Sequence, residues 1–229
     1  MPLPSIIAID GPVASGKTSV GKQVADKLGY LFFDSGVMYR AVTYLALRQL
    51  GAVDDAAAVA EVAERSPIDV RPATVDDGRD YTVVAGGEHE DITWAIRSPK
   101  VEAQVSPVSA VPAVRRCLTA QMRRIGLKGR IVMVGRDIGT VVLPEADLKI
   151  FLTASVETRA QRRYNETQAR GEARDYESIL ANLRERDRID SSRQVAPLVA
   201  AQDAVTLDTT GLDLPSVVKA IESLVATRS

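Results

Sequence analysis

An unbroken apolar run, Ile6-Ile7-Ala8-Ile9, passes through Asp10 straight into Gly11-Pro12-Val13-Ala14-Ser15-Gly16-Lys17-Thr18. Such a run, with no polar alternation, reads as a strand buried on both faces. The eight residues after it fit the phosphate-binding pattern G-x-x-x-x-G-K-[ST]. In that pattern glycines let backbone N–H groups close around an anion, the lysine offers a point charge to the β- and γ-phosphates, and the hydroxyl ligates a divalent cation. Downstream, Val20, Val24 and Leu28 recur at i, i+4 and i+8, and Gly29 stands where a helix C-terminal glycine is expected. Strand, loop and helix in that order point to an α/β fold whose first helix aims its positive end at a nucleoside triphosphate. Gly11, Pro12, Val13, Ala14, Ser15, Gly16, Lys17, Thr18 and Ser19 are the candidate binding residues.

Four more β-rich runs follow: Tyr30 to Phe33, Ile131 to Val134, Lys149 to Leu152 and Ala204 to Leu207. Helical patterns cover Lys17 to Leu28, Gly36 to Leu50, Pro112 to Ile125, Val156 to Ala169, Tyr176 to Arg188 and Pro215 to Thr227. Short buried strands alternating with helices predict a five-stranded parallel sheet with helices on both faces. Between about 66 and 107 the texture changes to short alternating runs (Ile68 to Arg71, Tyr81 to Val84, Glu88 to Ile92) broken by Asp76-Asp77-Gly78 and Gly86-Gly87. These read as antiparallel hairpins in a small inserted lobe, since ~40 residues make a poor core by themselves.

The bulk properties exclude several classes. At 229 residues, one domain with an insertion can bury roughly 70% of its unfolded surface. With 29 basic and 30 acidic residues there is no net basic footprint for a nucleic acid polymer. Cys117 is the only cysteine, so an intramolecular disulfide is excluded and a small helix-buried residue is expected; His89 is the only histidine, so multi-histidine metal sites and histidine triads lack material. No basic leader precedes the first strand, and no apolar run approaches the ~20 residues of a membrane span, so a cytoplasmic setting is expected.

The acceptor of any phosphoryl group should be marked by charged residues near the same sheet edge. Asp34-Ser35-Gly36 leads to Tyr39-Arg40; Asp34 is a candidate for a Mg2+-bound water, or alternatively a helix N-cap. Arg136-Asp137 follows the third core strand, where it can bind a phosphate and accept an amino-group hydrogen bond, or form a plain structural ion pair. In Arg184 to Arg193, residues Arg186, Asp190 and Arg193 share a helix face at i, i+4 and i+7, as a ligand clamp or as a solvated charged surface.

Taken together the chain resembles the bacterial cytidylate (CMP) kinases of the nucleoside monophosphate kinase group. The resemblance rests on Ile9-Asp10-Gly11-Pro12, Asp34-Ser35-Gly36 with Tyr39-Arg40, Gly135-Arg136-Asp137-Ile138-Gly139-Thr140-Val141-Val142, Lys149-Ile150-Phe151-Leu152, and Arg186-Asp187 through Asp190 to Ala196-Pro197-Leu198, and it covers nearly the whole length. The inserted lobe fits the long bacterial form. The family implies a P-loop kinase fold with an acceptor-binding region at about 36–112 and an Arg-rich lid at about 158–176. It implies that Arg40 and Arg136 grip the acceptor phosphate, that Ser106, Arg115, Asp137 and Arg193 read cytosine, that Arg186 and Asp190 meet the ribose, and that Ser35 belongs to the same CMP set. Arg159, Arg162 and Arg163, with Arg170 and Arg174 beyond, resemble lid arginines that neutralise the γ-phosphate, the alternative being an Arg-rich exposed helix. With Lys17 and Arg136, the first three form the expected catalytic set.

The expected reaction is transfer from ATP-Mg2+ to CMP and dCMP, in pyrimidine nucleotide salvage and biosynthesis, with Thr18 and, through water, Asp34 on the metal. The expected partners are the nucleotides alone, with no nucleic acid polymer, no membrane, and a monomeric chain. Two departures stand out: Val134 occupies a position where many relatives are acidic, and Ile189 and Ser191 stand where some relatives have Arg. The alternatives are a kinase for UMP, AMP or shikimate, and a non-catalytic module switched by ATP.

Overall fold

Ile7, Ala8 and Ile9 are wholly buried because their strand, β1 (Ile6–Asp10), lies in the middle of a sheet with neighbours on either side. The computed structural model describes residues 3–86, 90–169, 171, 174–193 and 195–227. Gly87, Glu88, His89 and Arg170, singled out in the sequence, lie outside the described residues. The chain divides into two compact units, Met1–Tyr30 with Val132–Ser229, and Leu31–Ile131. The remaining sheet strands are β2 (Leu31–Asp34), β6 (Ile131–Gly135), β7 (Leu148–Thr153) and β8 (Val205–Asp208), ordered β2-β6-β1-β7-β8 in a parallel sheet. Asp10 pairs in register with Phe151, and Thr153 with Asp208, so the loops after β1, β7 and β8 leave from one edge. In open α/β sheets that edge is where ligands bind.

In the first unit, α1 (Lys17–Leu28) begins at Gly16 and ends at Gly29, both in left-handed conformations that favour glycine. The Gly29 N–H reaches back to the carbonyls of Ala25 and Asp26, satisfying helix-end acceptors. The apolar stripe Val20, Val24 and Ala25 packs on α8 (Leu214–Thr227), which buries Val217, Val218, Ile221 and Val225. Helices α6 (Val156–Ala169) and α7 (Tyr176–Ser192) pack together around Ala160, Ile179, Leu180 and Leu183. The last of these runs four residues beyond its expected end, yet stops before Arg193, which is extended.

In the second unit, α2 (Gly36–Leu50) is followed by α3 (Ala56–Arg65), an element not expected from the sequence. Its signals were present: the Asp55 carboxylate caps the N–H groups of Ala57 and Ala58, and Val59, Ala60, Val62 and Ala63 form a buried stripe. The inserted antiparallel sheet is β3 (Ile68–Pro72), β4 (Tyr81–Ala85) and β5 (Glu90–Asp91). The inserted lobe is not all hairpin, because α4 (Pro99–Ala110) occupies its end. Pro99 starts that helix where a missing N–H costs nothing, and the internal Pro107 disguised it in the sequence. Helix α5 (Pro112–Gly126) carries Cys117, half-buried with its Sγ 3.2 Å from the Ala63 carbonyl.

Candidate active site

The phosphate loop folds as its glycines require. A Cβ at Gly11 would lie 2.2 Å from the Leu152 carbonyl oxygen, so this turn can press against β7 only without a side chain. The Lys17 ammonium donates to the Pro12 carbonyl at 2.8 Å, which holds the charge over the loop. Ser15 is buried with its hydroxyl facing no hydrogen-bond partner, while Thr18 and Ser19 stand exposed on the first turn of α1. A helix N-terminus with its positive dipole end stands at this loop, a geometry suited to an anion.

Asp10, one residue before the loop, has no role that its sequence pattern assigns. It is only 5% exposed, and its two carboxylate oxygens accept from the backbone N–H groups of Ile138 at 2.8 Å and Gly139 at 2.7 Å. Burial pushes its pKa up to about 6, against those two hydrogen bonds and the nearby Lys17 charge, which act to lower it; Asp137 adds to the rise. A charged residue terminating an otherwise apolar buried strand was the available signal.

Arg136 and Asp137 follow β6, and Ile138–Val142 form one wide turn of π-helix after them. Asp137 is buried, and the Asp190 carboxylate, 3% exposed, meets Arg136 Nε at 2.5 Å and pairs with Arg193 through its other oxygen. The Arg136 contact is a close charge pair without hydrogen-bond geometry. The tertiary structure thus brings Arg136, Asp190 and Arg193 together. Arg186, half-buried, sits one turn earlier on α7. Arg193 joins them from beyond the helix end and not, as the spacing suggested, from the helix face.

The arginines of α6 differ from one another in their partners. Arg159 is 4% exposed, with all its nitrogens engaged: it donates to the carbonyls of Ala154 and Val13, each at 3.1 Å, and forms a two-bond pair with Asp187. It therefore clasps the phosphate loop to α7, with its guanidinium held on both sides by these partners. Arg162 donates to the Thr209 hydroxyl and carbonyl and to the Leu212 carbonyl, with one nitrogen 4.0 Å from where a Gly16 side chain would begin. Arg163 is more open and pairs with Glu166. Arg174 is exposed. Asp187, hidden in a charge run, is a second residue that sequence reasoning left without a role.

In the second unit, Asp34 Oδ1 accepts the Gly36 N–H at 2.9 Å, the local turn that starts α2, and the adjacent Ser35 is buried. Arg40 pairs with Glu102, a partner no local pattern announced. Arg115 is buried over the Tyr39 ring at 5.5 Å and donates to the Ser109 carbonyl. Ser106 is exposed on α4.

A phosphate loop at the strand edge of this parallel sheet, followed by an Arg-Asp loop, defines a P-loop phosphotransferase. Among solved structures the chain is similar to a gluconokinase from Sinorhizobium meliloti 1021 (TM-score 0.50, 16% identity, 99% of this chain and 94% of that one). It is also similar to a shikimate kinase from Bacteroides thetaiotaomicron (TM-score 0.50, 13% identity, 96% and 97%). At such identities these show the fold alone. The family model for cytidylate kinase matches residues 7–227. The chain is 50% identical over 225 residues to a cytidylate kinase from Herpetosiphon aurantiacus, covering 98% of this chain and 96% of that protein. It is 50% identical over 212 residues to one from Chloroflexus aggregans, covering 93% and 90%. The chain belongs to the cytidylate kinase family.

Proposed function

We infer that this chain transfers the γ-phosphoryl group of ATP to CMP and dCMP, giving ADP with CDP or dCDP, in pyrimidine nucleotide salvage and biosynthesis. The observation that carries this reading is the near-full-length family match, with the phosphate loop and the Arg136–Asp190–Arg193 cluster intact in one unit.

The donor phosphates lie along the loop N–H groups and the N-terminus of α1, with Lys17 shared between the β- and γ-phosphates. For Mg2+ carried by the nucleotide, Thr18 offers a hydroxyl and Asp34 a carboxylate for a coordinated water. A cation bound chiefly by phosphate oxygens and water needs no more. When bound it supplies charge neutralisation on the transferring phosphates. Val134, apolar and wholly buried, adds nothing to that shell.

The acceptor is already a phosphate, so in-line transfer needs neither a covalent enzyme intermediate nor a strong general base. Arg136 and Arg40 hold its phosphate, and Arg186 and Asp190 hold the ribose. Ser35, Ser106, Arg115, Asp137 and Arg193 complete the CMP set. Asp137 accepts from the exocyclic amino group of cytosine; uracil has a carbonyl there, which would set two acceptors face to face. The region at about 36–112 serves the acceptor. The lid at about 158–176 excludes water, with Arg162 and Arg163 approaching the γ-phosphate and Arg159 acting through the loop it clasps. On this reading the enzyme works as a monomer in the cytoplasm. Among the described residues no helix is long and apolar enough to cross a membrane.

A coupled assay offering CMP, dCMP, UMP, AMP and shikimate tests the reading. CMP and dCMP should be turned over far faster than the rest, and Lys17→Ala should abolish turnover with an unchanged circular dichroism spectrum. ATP binding without transfer to any acceptor would favour the switch module, and near-normal turnover by Lys17→Ala would sink the assignment.

A further inference from the structure

Two sites in the first unit are tied together by one buried carboxylate. Asp10 ends β1 and is followed at once by Gly11 of the phosphate loop. Its oxygens take the N–H groups of Ile138 and Gly139, the first two of the Ile138–Val142 turn. N–H groups at the start of a helical turn have no partner inside it, and a carboxylate there gains from both the hydrogen bonds and the local dipole. Farther along, the turn is closed by its own backbone: Val141 and Val142 donate to the Asp137 carbonyl, and Leu143 to that of Ile138. Asp137 is therefore pinned between the end of β6 and a turn whose open end Asp10 caps.

The packing leaves little slack. A Cβ on Gly139 would lie 3.2 Å from the Lys149 side chain and 3.4 Å from Asp10 Oδ2, so the turn is pressed onto both. Lys149 is in turn held by both oxygens of Asp203. Burial raises the pKa of Asp10, so an ionisable group kept in this place is held at a disadvantage that its two hydrogen bonds only partly offset.

We propose that Asp10 is a positioning residue for base discrimination: by capping the Ile138–Gly139 backbone, its carboxylate fixes the direction in which Asp137 presents its own carboxylate to cytosine. This rests on the assignment of Asp137 to the base, made above. Because Asp10 is continuous with the phosphate loop, the cap also sets the acceptor-reading turn relative to the donor loop.

The test is Asp10→Asn, whose amide sets a donor against one of the two N–H groups, assayed with CMP and UMP beside the wild type, Asp137→Ala and the double variant. Asp10→Asn should lower the ratio of kcat/KM for CMP over UMP about tenfold while KM for ATP moves less than about twofold. Added to Asp137→Ala it should lower the ratio no further, since both act on one interaction. An unchanged ratio in Asp10→Asn, or a KM for ATP rising as much as that for CMP, overturns the proposal. An unchanged ratio in Asp137→Ala instead overturns the assignment on which it rests. Should Asp10→Asn fail to fold by thermal melting, Gly139→Ala decides. It keeps the carboxylate but sets a methyl 3.2 Å from the Lys149 side chain and 3.4 Å from Asp10 Oδ2, and by crowding that contact it should lower the same ratio; an unaltered ratio there refutes the proposal.

Discussion

Replacing Asp187 by Ala removes the acidic half of a pair whose basic half has nowhere to go. Arg159 loses both bonds to the carboxylate, at 3.1 and 2.5 Å, and keeps only the carbonyls of Ala154 and Val13, at 4% exposure. Breaking a fully buried ion pair from one side costs about 3–5 kcal/mol. The Asp187 side chain is 29% exposed, so water can replace part of what is lost, and about 2 kcal/mol is the reasonable expectation. For a chain of this size that corresponds to a Tm lower by about 4–8 °C. Because Arg159 also holds Val13, a stray guanidinium should loosen the phosphate loop and raise KM for ATP by roughly threefold, more than it raises KM for CMP. Asp187→Asn keeps the shape and one acceptor and should lose about half as much stability. Differential scanning fluorimetry without nucleotide, with initial rates at varied ATP, reads both effects. A Tm within about 1 °C of wild type for Asp187→Ala, with unaltered KM for ATP, would refute the clasp.

Two further expectations concern the loop and its flanking carboxylate. Gly11→Ala forces a Cβ to within 2.2 Å of the Leu152 carbonyl and should destabilise by about 3 kcal/mol in chemical denaturation, with ATP binding lost, whereas Gly51→Ala, left-handed but with no atom within 4 Å, should lose only about 1 kcal/mol. Equal losses would disprove the close-approach argument. Asp10 has a folded pKa raised from 3.8 to about 6, so its contribution is complete below pH 3.8 and is lost as pH rises through 6. The stability of the wild type relative to Asp10→Asn should therefore fall by about 2 kcal/mol between pH 4 and 7, and a rise over that interval would contradict the burial argument.

The elements most legible in the sequence were those whose pattern is local. Lys17–Leu28, Gly36–Leu50 and Val156–Ala169 form helices with the bounds their periodicity indicated, since the apolar spacing, the following glycines and the strand runs all lie within a few residues of one another. Helix Ala56–Arg65 escaped because alanines carry a weak apolar signal, and helix Pro99–Ala110 because Pro107 and its valines argue against a helix when read alone. In the candidate site, Lys17, Arg136, Asp137 and Asp190 are the residues that motif and resemblance single out. Asp10 and Asp187 are not among them, because each acts through a group far away in the chain: the Ile138 backbone, 128 residues from Asp10, and the Arg159 guanidinium, 28 residues from Asp187.

By itself the sequence determined the phosphate loop and the alternation of buried strands and amphipathic helices, readable from spacing between near neighbours, while its charged clusters pointed to a cytidylate kinase through their resemblance to that family. Only the tertiary structure decided which of those charges are buried and with whom. Asp10 is a backbone cap, Arg159 a clasp on the loop, and Asp190 the shared partner of Arg136 and Arg193. A carboxylate or guanidinium has the same formula wherever it stands; its ionisation, its mobility and its reach are set by desolvation and by partners that chain closure alone brings within 3 Å.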